Sequence, residues 1–180
     1  MTRRRLAAAA AAVVAAGTAT GWALAEDRAD PLTGWDDTGW AINRPVGTEF
    51  GNGWLVVTNN STDPVRLLSV ETDHSSGLSL LGTSAGPTDA GIEQILPWPP
   101  ADSFGPLAGT VLVPGEAAQV VVGYRVAAPG RSTVRHVHVA YESQGQRHRL
   151  DLTNTLAVCT EAKTDACEHE FADSPVSDGR

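Results

Sequence analysis

The chain is 180 residues long and acidic, with 21 Asp and Glu against 13 Lys and Arg and a formal net charge of −8. Three basic residues and no acidic ones lie in residues 1–25, so residues 26–180 hold 10 basic and 21 acidic residues, a net charge of −11. Because nucleic-acid phosphates bind basic surfaces, this balance disfavours nucleic acid as a partner. The part that follows residue 25 is long enough for one domain with its own hydrophobic core.

Residues 1–25 have the pattern of an export signal, with three arginines at positions 3–5 followed by an uncharged run over residues 6–25. Small residues at the two positions that a signal peptidase recognises favour cleavage after Ala25. The alternative is a single transmembrane anchor, since twenty helical residues reach about 30 Å. The many alanines are weakly apolar and favour cleavage. In both interpretations the chain from Glu26 onward lies outside the membrane.

Residues 26–39 are acidic and contain the turn-forming residues Pro31 and Gly34, which predicts a spacer before a domain that begins near Trp40. Trp35 and Trp40 belong to a GWxxxGW repeat. Such aromatic side chains either receive a ligand or cap the end of a core, and we favour the cap.

Short β-branched runs predict strands over residues 54–58 and 65–72, separated by the turn sequence NNSTDP at residues 59–64. Residues 77–81 predict another short strand. The next stretch, 82–106, is rich in Gly and Pro and is predicted to be irregular, with one helical turn near residues 92–96. Because long loops often carry function, Trp98, Pro99 and Pro100 form a candidate binding loop.

The same stretch contains a GxSxG match centred on Ser84. This motif presents a nucleophilic serine between a strand and a helix in α/β-hydrolases. Pro87 follows at once, and the chain is short for that fold, so a small serine hydrolase is a disfavoured alternative.

The last third predicts strands over residues 110–113, 119–126, 133–142 and 147–158, with turns between them and no helices. If Gln144 and Gly145 form a two-residue turn, each pair of opposite residues has numbers that sum to 289. The resulting partners on the predicted inner face are Val137 with Leu152, Val139 with Leu150, and Tyr141 with His148. The other face is predicted to be charged and exposed to solvent.

His136 and His138 lie two residues apart and therefore point to that outer face, where only Asp151 could join them. Imidazole and carboxylate ligands suit copper or zinc, which gives extracytoplasmic metal handling as an alternative function. Arg147 and Arg149 lie nearby and disfavour a bound cation. A solvated face of histidine, arginine and acid is the favoured interpretation.

Cys159 and Cys167 are predicted to form a disulfide, because thiols of exported chains tend to oxidise. Closing so short a loop stabilises the fold by about 2–3 kcal/mol. Zinc binding by this pair with neighbouring Glu168 and His169 is a weaker alternative. Residues 159–180 are otherwise acidic and are predicted to be a flexible tail.

The segments LVVTNN at 55–60, PV at 64–65, VPGE at 113–116 and VVVGY at 120–124 resemble exported bacterial immunoglobulin-like domains over residues 40–158. The Ala-rich, acidic composition also resembles that of actinobacterial secreted proteins. The resemblance implies an all-β fold, an antiparallel immunoglobulin-like β-sandwich preceded by an N-terminal signal or anchor helix. It implies a non-enzymatic extracytoplasmic binding or accessory module without a cofactor, whose partner is an unknown protein or a component of the cell envelope. The chain is then secreted, or tethered to the plasma membrane through residues 6–25.

Overall fold

The computed structural model describes residues 30–88 and 94–160, and strands make up most of both ranges. In chain order these strands are β1 (Leu32–Gly34), β2 (Thr38–Asn43), β3 (Glu49–Asn59), β4 (Val65–His74), β5 (Leu78–Pro87), β6 (Ile95–Leu96), β7 (Gly105–Pro106), β8 (Val111–Leu112), β9 (Ala117–Val126), β10 (Arg131–Ser143) and β11 (Gln146–Cys159). The described residues contain no helix that is long and apolar enough to cross a bilayer. The predicted signal or anchor and residues 161–180 lie outside them.

The strands form two sheets, and their order is that of an immunoglobulin-like sandwich. The first sheet has the order β1-β3-β9-β5-β7, with β6 also paired to β3, and the second has the order β2-β11-β10-β4-β8. The two orders correspond to the ABED and GFC sheets of that fold, so the predicted fold class is confirmed. The predicted strands at 54–58 and 65–72 both exist, but β3 and β4 belong to opposite sheets and do not pair with each other.

The start of the domain differs from the predicted boundary at residue 40. β1 pairs with the end of β3, and Leu32 within it is fully buried in the core. The chain then crosses to the second sheet, where β2 runs parallel to β11 and is the one exception among the described pairs to antiparallel pairing. Part of the predicted spacer therefore belongs to the sandwich. Pro31 and Gly34 suggested a turn, but the edges of sheets tolerate both residue types.

The β10–β11 hairpin has the predicted register. Gln144 and Gly145 have φ angles of 52° and 73°, as expected at the centre of a type I′ turn. In the two strands that flank this turn, Val137 pairs with Leu152 and Tyr141 with His148, so the residue numbers of each pair sum to 289 as predicted. Both Val137 and Tyr141 are about 1% exposed, so this face does line the core.

Strand β9 is buried on both of its faces. Val120, Val122 and Tyr124 point into the main core, where each is at most 1% exposed. Gln119 and Val121 alternate with them on the outer face and are equally buried, although they lie outside the main core cluster. Another layer must therefore cover the outer face of the first sheet.

Candidate binding surfaces

The loop that carries Leu96, Trp98 and Phe104, which we call the covering loop, forms this layer. It contains the residues that the sequence predicts as a candidate binding loop. The indole ring of Trp98 lies against Gly123 of β9, and Leu96 contacts the position where a Cβ of Gly51 would be. Trp98 is thus half-buried and holds the loop against the first sheet. This packing gives Trp98 a structural role; a binding role for Trp98, Pro99 and Pro100 stays a prediction.

The GxSxG match lies inside a strand. Strand β5 is ten residues long and continues to Pro87, so the predicted irregular stretch begins later than residue 82. Ser84 is paired with Val121 on one side and with Pro106 on the other, and the strand continues for three residues beyond it. The elbow that a serine nucleophile requires is therefore absent at this position.

The two glycines of the match have a different explanation. A Cβ on Gly86 would lie 2.5 Å from a ring carbon of Phe104, and one on Gly82 would lie 3.2 Å from the Trp98 ring. Glycine at both positions lets the aromatic rings of the covering loop approach the sheet backbone. The packing of the Trp98 and Phe104 rings thus accounts for the two glycines of the GxSxG match.

Three tryptophans form a cluster on the side of the sandwich where the chain crosses between the sheets. The ring of Trp54 in β3 makes edge contacts at centroid distances of 5.5 Å with both Trp35 and Trp40. Trp40 packs against the core, while Trp35 is 41% exposed. The cluster therefore caps the core, with Trp35 as its exposed member.

The outer surface of the second sheet carries exposed charged side chains. His136 and His138 lie on this surface as predicted, with His138 opposite Asp151. Strand β4 adds Asp73, which pairs with His136 across the sheet. We call the surface that carries Asp73, His136, His138, Arg149, Asp151 and Thr153 the charged face.

The charged face is held together by charge-assisted contacts. His138 Nδ1 lies 2.7 Å from Asp151 Oδ1, and His136 Nδ1 lies 3.2 Å from Asp73 Oδ2. Arg149 Nε donates to Asp151 Oδ1 at 2.5 Å. Hydrogen bonds from Arg149 and then His138 lower the pKa of Asp151, and the hydrogen bond from His136 is the main cause of the lowered pKa of Asp73.

The proposed metal ligands are brought together, but the described residues contain no group of three or more His, Cys, Asp or Glu side chains that could hold a metal ion. Both ring nitrogens of His138 already face carboxylates, because Nδ1 lies 2.7 Å from Asp151 Oδ1 and Nε2 lies 3.5 Å from Asp73 Oδ2. In addition, Arg149 places a guanidinium beside Asp151, where a cation would be repelled. The alternative of metal handling gains no support from this geometry.

Cys159 ends β11, is 6% exposed, and does not carry a free thiol. Its predicted partner Cys167 lies outside the described residues, so the disulfide between them stays a prediction.

One end of the sandwich has a polar cleft that the sequence did not predict. It has a volume of about 350 Å³ and lies where the β3–β4 and β10–β11 turns meet the start of β1. Sequence patterns identified these segments as turns, but they carried no signal that the turns would meet. The residues that line the cleft are Asp30, Pro31, Asn60, Ser61, Thr62, Asp63, Ser143, Gln144, Gln146 and His148.

No family model matches the chain, and no curated protein matches it. Among solved structures, the chain is similar to the VesB protease of Vibrio cholerae, with 14% identity over 73% of this chain and 32% of that one and a TM-score of 0.38. It is also similar to PapD-like domain 7 of human CEP192, with 14% identity over 74% of this chain and 87% of that one and a TM-score of 0.34. A third similarity is to the CooA pilin subunit of enterotoxigenic Escherichia coli, with 9% identity over 73% of this chain and 99% of that one and a TM-score of 0.36. The chain spans about a third of the length of VesB. At these TM-scores the similarities support no conclusion about function.

Proposed function

We propose that this chain is a non-enzymatic binding or accessory module that acts outside the membrane and contacts a protein or cell-envelope partner through the charged face. The observation that carries this proposal is the asymmetry of the sandwich. The loop around Trp98 covers part of the outer side of the first sheet, whereas the side chains of Asp73 and Asp151 on the second sheet are 64% and 63% exposed.

The chemistry of the charged face suits recognition of a partner. Acidic and basic side chains alternate across neighbouring strands and are held in place by one another, as in the Arg149–Asp151–His138 contacts. Such a pattern favours a partner with the complementary arrangement of charges and disfavours others. Held side chains also lose less conformational entropy when a partner binds.

The location in this proposal depends on residues 1–25. Cleavage after Ala25 would release the domain, while retention of residues 6–25 would tether it to the plasma membrane. Mass spectrometry of the mature N-terminus distinguishes these forms. A first residue of Glu26 means a secreted module, and an intact run of arginines at positions 3–5 means a tethered one.

Site-specific photo-crosslinking in the native host tests the proposed binding surface. A photoreactive residue replaces Thr153, which is exposed on the charged face, opposite His136. The matched control carries it at Ser79, an exposed strand position on the first sheet. We expect one discrete crosslinked partner from position 153 and not from position 79.

A second measurement makes the crosslinking result specific. Arg149→Glu reverses one charge of the face and is expected to abolish the crosslink at position 153, because the charge pattern of the face changes. The proposal is wrong if positions 153 and 79 give the same products, or if Arg149→Glu leaves the product unchanged.

A further inference from the structure

The polar cleft is assembled from three separate segments of the chain, and hydrogen bonds join its walls. Gln144 Nε2 in the β10–β11 turn donates to Asp63 Oδ2 in the β3–β4 turn at 2.5 Å. Asn60 Nδ2 donates to Thr33 Oγ1 of β1 at 2.6 Å. These contacts between segments hold the cleft in a preformed shape, which reduces the entropic cost of binding a ligand.

The β3–β4 wall is anchored from behind by a buried side chain. Asn59 is fully buried and donates hydrogen bonds to the carbonyls of Asp63 and Leu112 at 2.8 and 2.9 Å. Its side-chain Oδ1 accepts a hydrogen bond from the backbone N–H of Ser61 at 2.9 Å. The turn that carries Asp63 is therefore rigid.

The fixed charges that line the cleft are negative. The described lining includes the carboxylates of Asp30 and Asp63 and no Lys or Arg. The side-chain amides of Asn60 and Gln144 each already donate one hydrogen bond to a protein oxygen. The two carboxylates therefore favour a ligand that supplies positive charge and hydrogen-bond donors, and an anionic group such as phosphate would be repelled.

The cleft borders a buried tyrosine. The His148 ring stacks on Tyr141 at a centroid distance of 5.2 Å, and Tyr141 is buried beneath it. Burial is the main cause of the raised pKa of Tyr141, and the negative charge of the Asp30 carboxylate raises it further. Asp30 and His148 both line the cleft.

We propose that this cleft binds a small polar ligand through an ammonium group, with Asp30 and Asp63 as the acceptors. An ammonium offers three donors and a positive charge, which matches two carboxylates in a cleft whose described lining has no Lys or Arg. The volume of about 350 Å³ falls within the range of sites for small molecules. This site is separate from the charged face, so either can fail without the other.

Titrations followed by NMR test the proposal on isotope-labelled protein, purified as the host processes it. Glucosamine and ethanolamine are the ammonium probes, glucose is the neutral control, and glucose 6-phosphate is the anionic control. We expect saturable shifts of the Gln144, Gln146 and His148 amide signals with both ammonium probes. Glucose should bind at least about fivefold more weakly, and glucose 6-phosphate should leave these signals in place.

Two isosteric variants separate binding from folding. Asp63→Asn keeps an oxygen that can accept from Gln144, and Asp30→Asn leaves the β3–β4 turn unchanged; each should weaken the ammonium probes at least about fivefold. Asp102→Asn removes an exposed carboxylate far along the chain from the cleft segments and should bind the probes as the native protein does. The proposal is overturned if neither ammonium probe shifts the cleft signals, if both cleft variants bind normally, or if calcium chloride alone produces the same shifts at lower concentration.

Discussion

The indole ring of Trp98 rests on Gly123, at a point where the sheet has no side chain to separate ring and backbone. This contact closes the covering loop over the first sheet. It also explains how β9 can bury apolar side chains on both faces, because the loop shields Val121 in the way that the core shields Val120 and Val122.

The first prediction concerns this contact. Gly123→Ala places a methyl group in the space of the Trp98 ring and should lower the free energy of unfolding by about 1–3 kcal/mol, as overpacking does. Chemical denaturation monitored by tryptophan fluorescence measures the loss. Gly105→Ala is the control, since a Cβ there meets no atom within 4 Å. Equal stability of the two variants would contradict the packing of Trp98.

A second prediction compares two neighbouring asparagines. Asn59→Ala removes the partner of two carbonyls and one amide in a buried setting and should cost about 2–3 kcal/mol of unfolding free energy. Asn60→Ala removes one exposed hydrogen bond and should change stability by about 0.5 kcal/mol or less. Denaturant unfolding of both variants tests this difference. The prediction fails if Asn60→Ala proves the more damaging of the two.

A third prediction concerns pH. The pKa values of Asp73 and Asp151 are lowered from 3.8 by their hydrogen-bonded partners. Such groups stabilise the fold fully above the unfolded-state pKa of about 4, and this contribution disappears as the pH falls through the folded-state pKa. We therefore expect the Tm of the native protein to fall more steeply below about pH 4 than that of Asp151→Asn.

Thermal unfolding at a series of acidic pH values provides this measurement. Asp102→Asn serves as the control for loss of an exposed carboxylate and should follow the native curve. An unchanged slope for Asp151→Asn would show that the contacts of Arg149 and His138 with Asp151 do not persist in solution.

A fourth prediction tests the position of Asp30 at the cleft. Because the Asp30 carboxylate raises the pKa of Tyr141, Asp30→Asn should lower the pKa of that hydroxyl, leaving burial as the remaining cause of its elevation. Spectrophotometric titration follows the change. Tyr124 is the internal reference, since burial raises its pKa and Asp30 is not among the causes. A Tyr141 transition that does not move in Asp30→Asn would show that the Asp30 carboxylate does not act on the Tyr141 hydroxyl.

Local sequence determined the β10–β11 hairpin and its outer face. A two-residue turn at Gln144 and Gly145 sets the register, and alternating apolar residues decide which side is buried, so the pairing of His138 with Asp151 was predictable. The same periodicity identified an all-β sandwich, because each strand carries its own pattern of inward and outward residues.

Tertiary structure alone decided the contacts between segments distant in sequence. Asp73 joined His136 because β4 pairs with β10, and Asp63 met Gln144 because two turns share one end of the sandwich. The covering loop likewise depends on Gly123, which is 25 residues from Trp98 in the chain. Periodicity in a single sequence shows which face of a strand is buried, but it does not specify the strand or loop that buries it. That choice depends on how the sheets and loops pack together, so the charged face was only partly predictable and the cleft was not predictable at all.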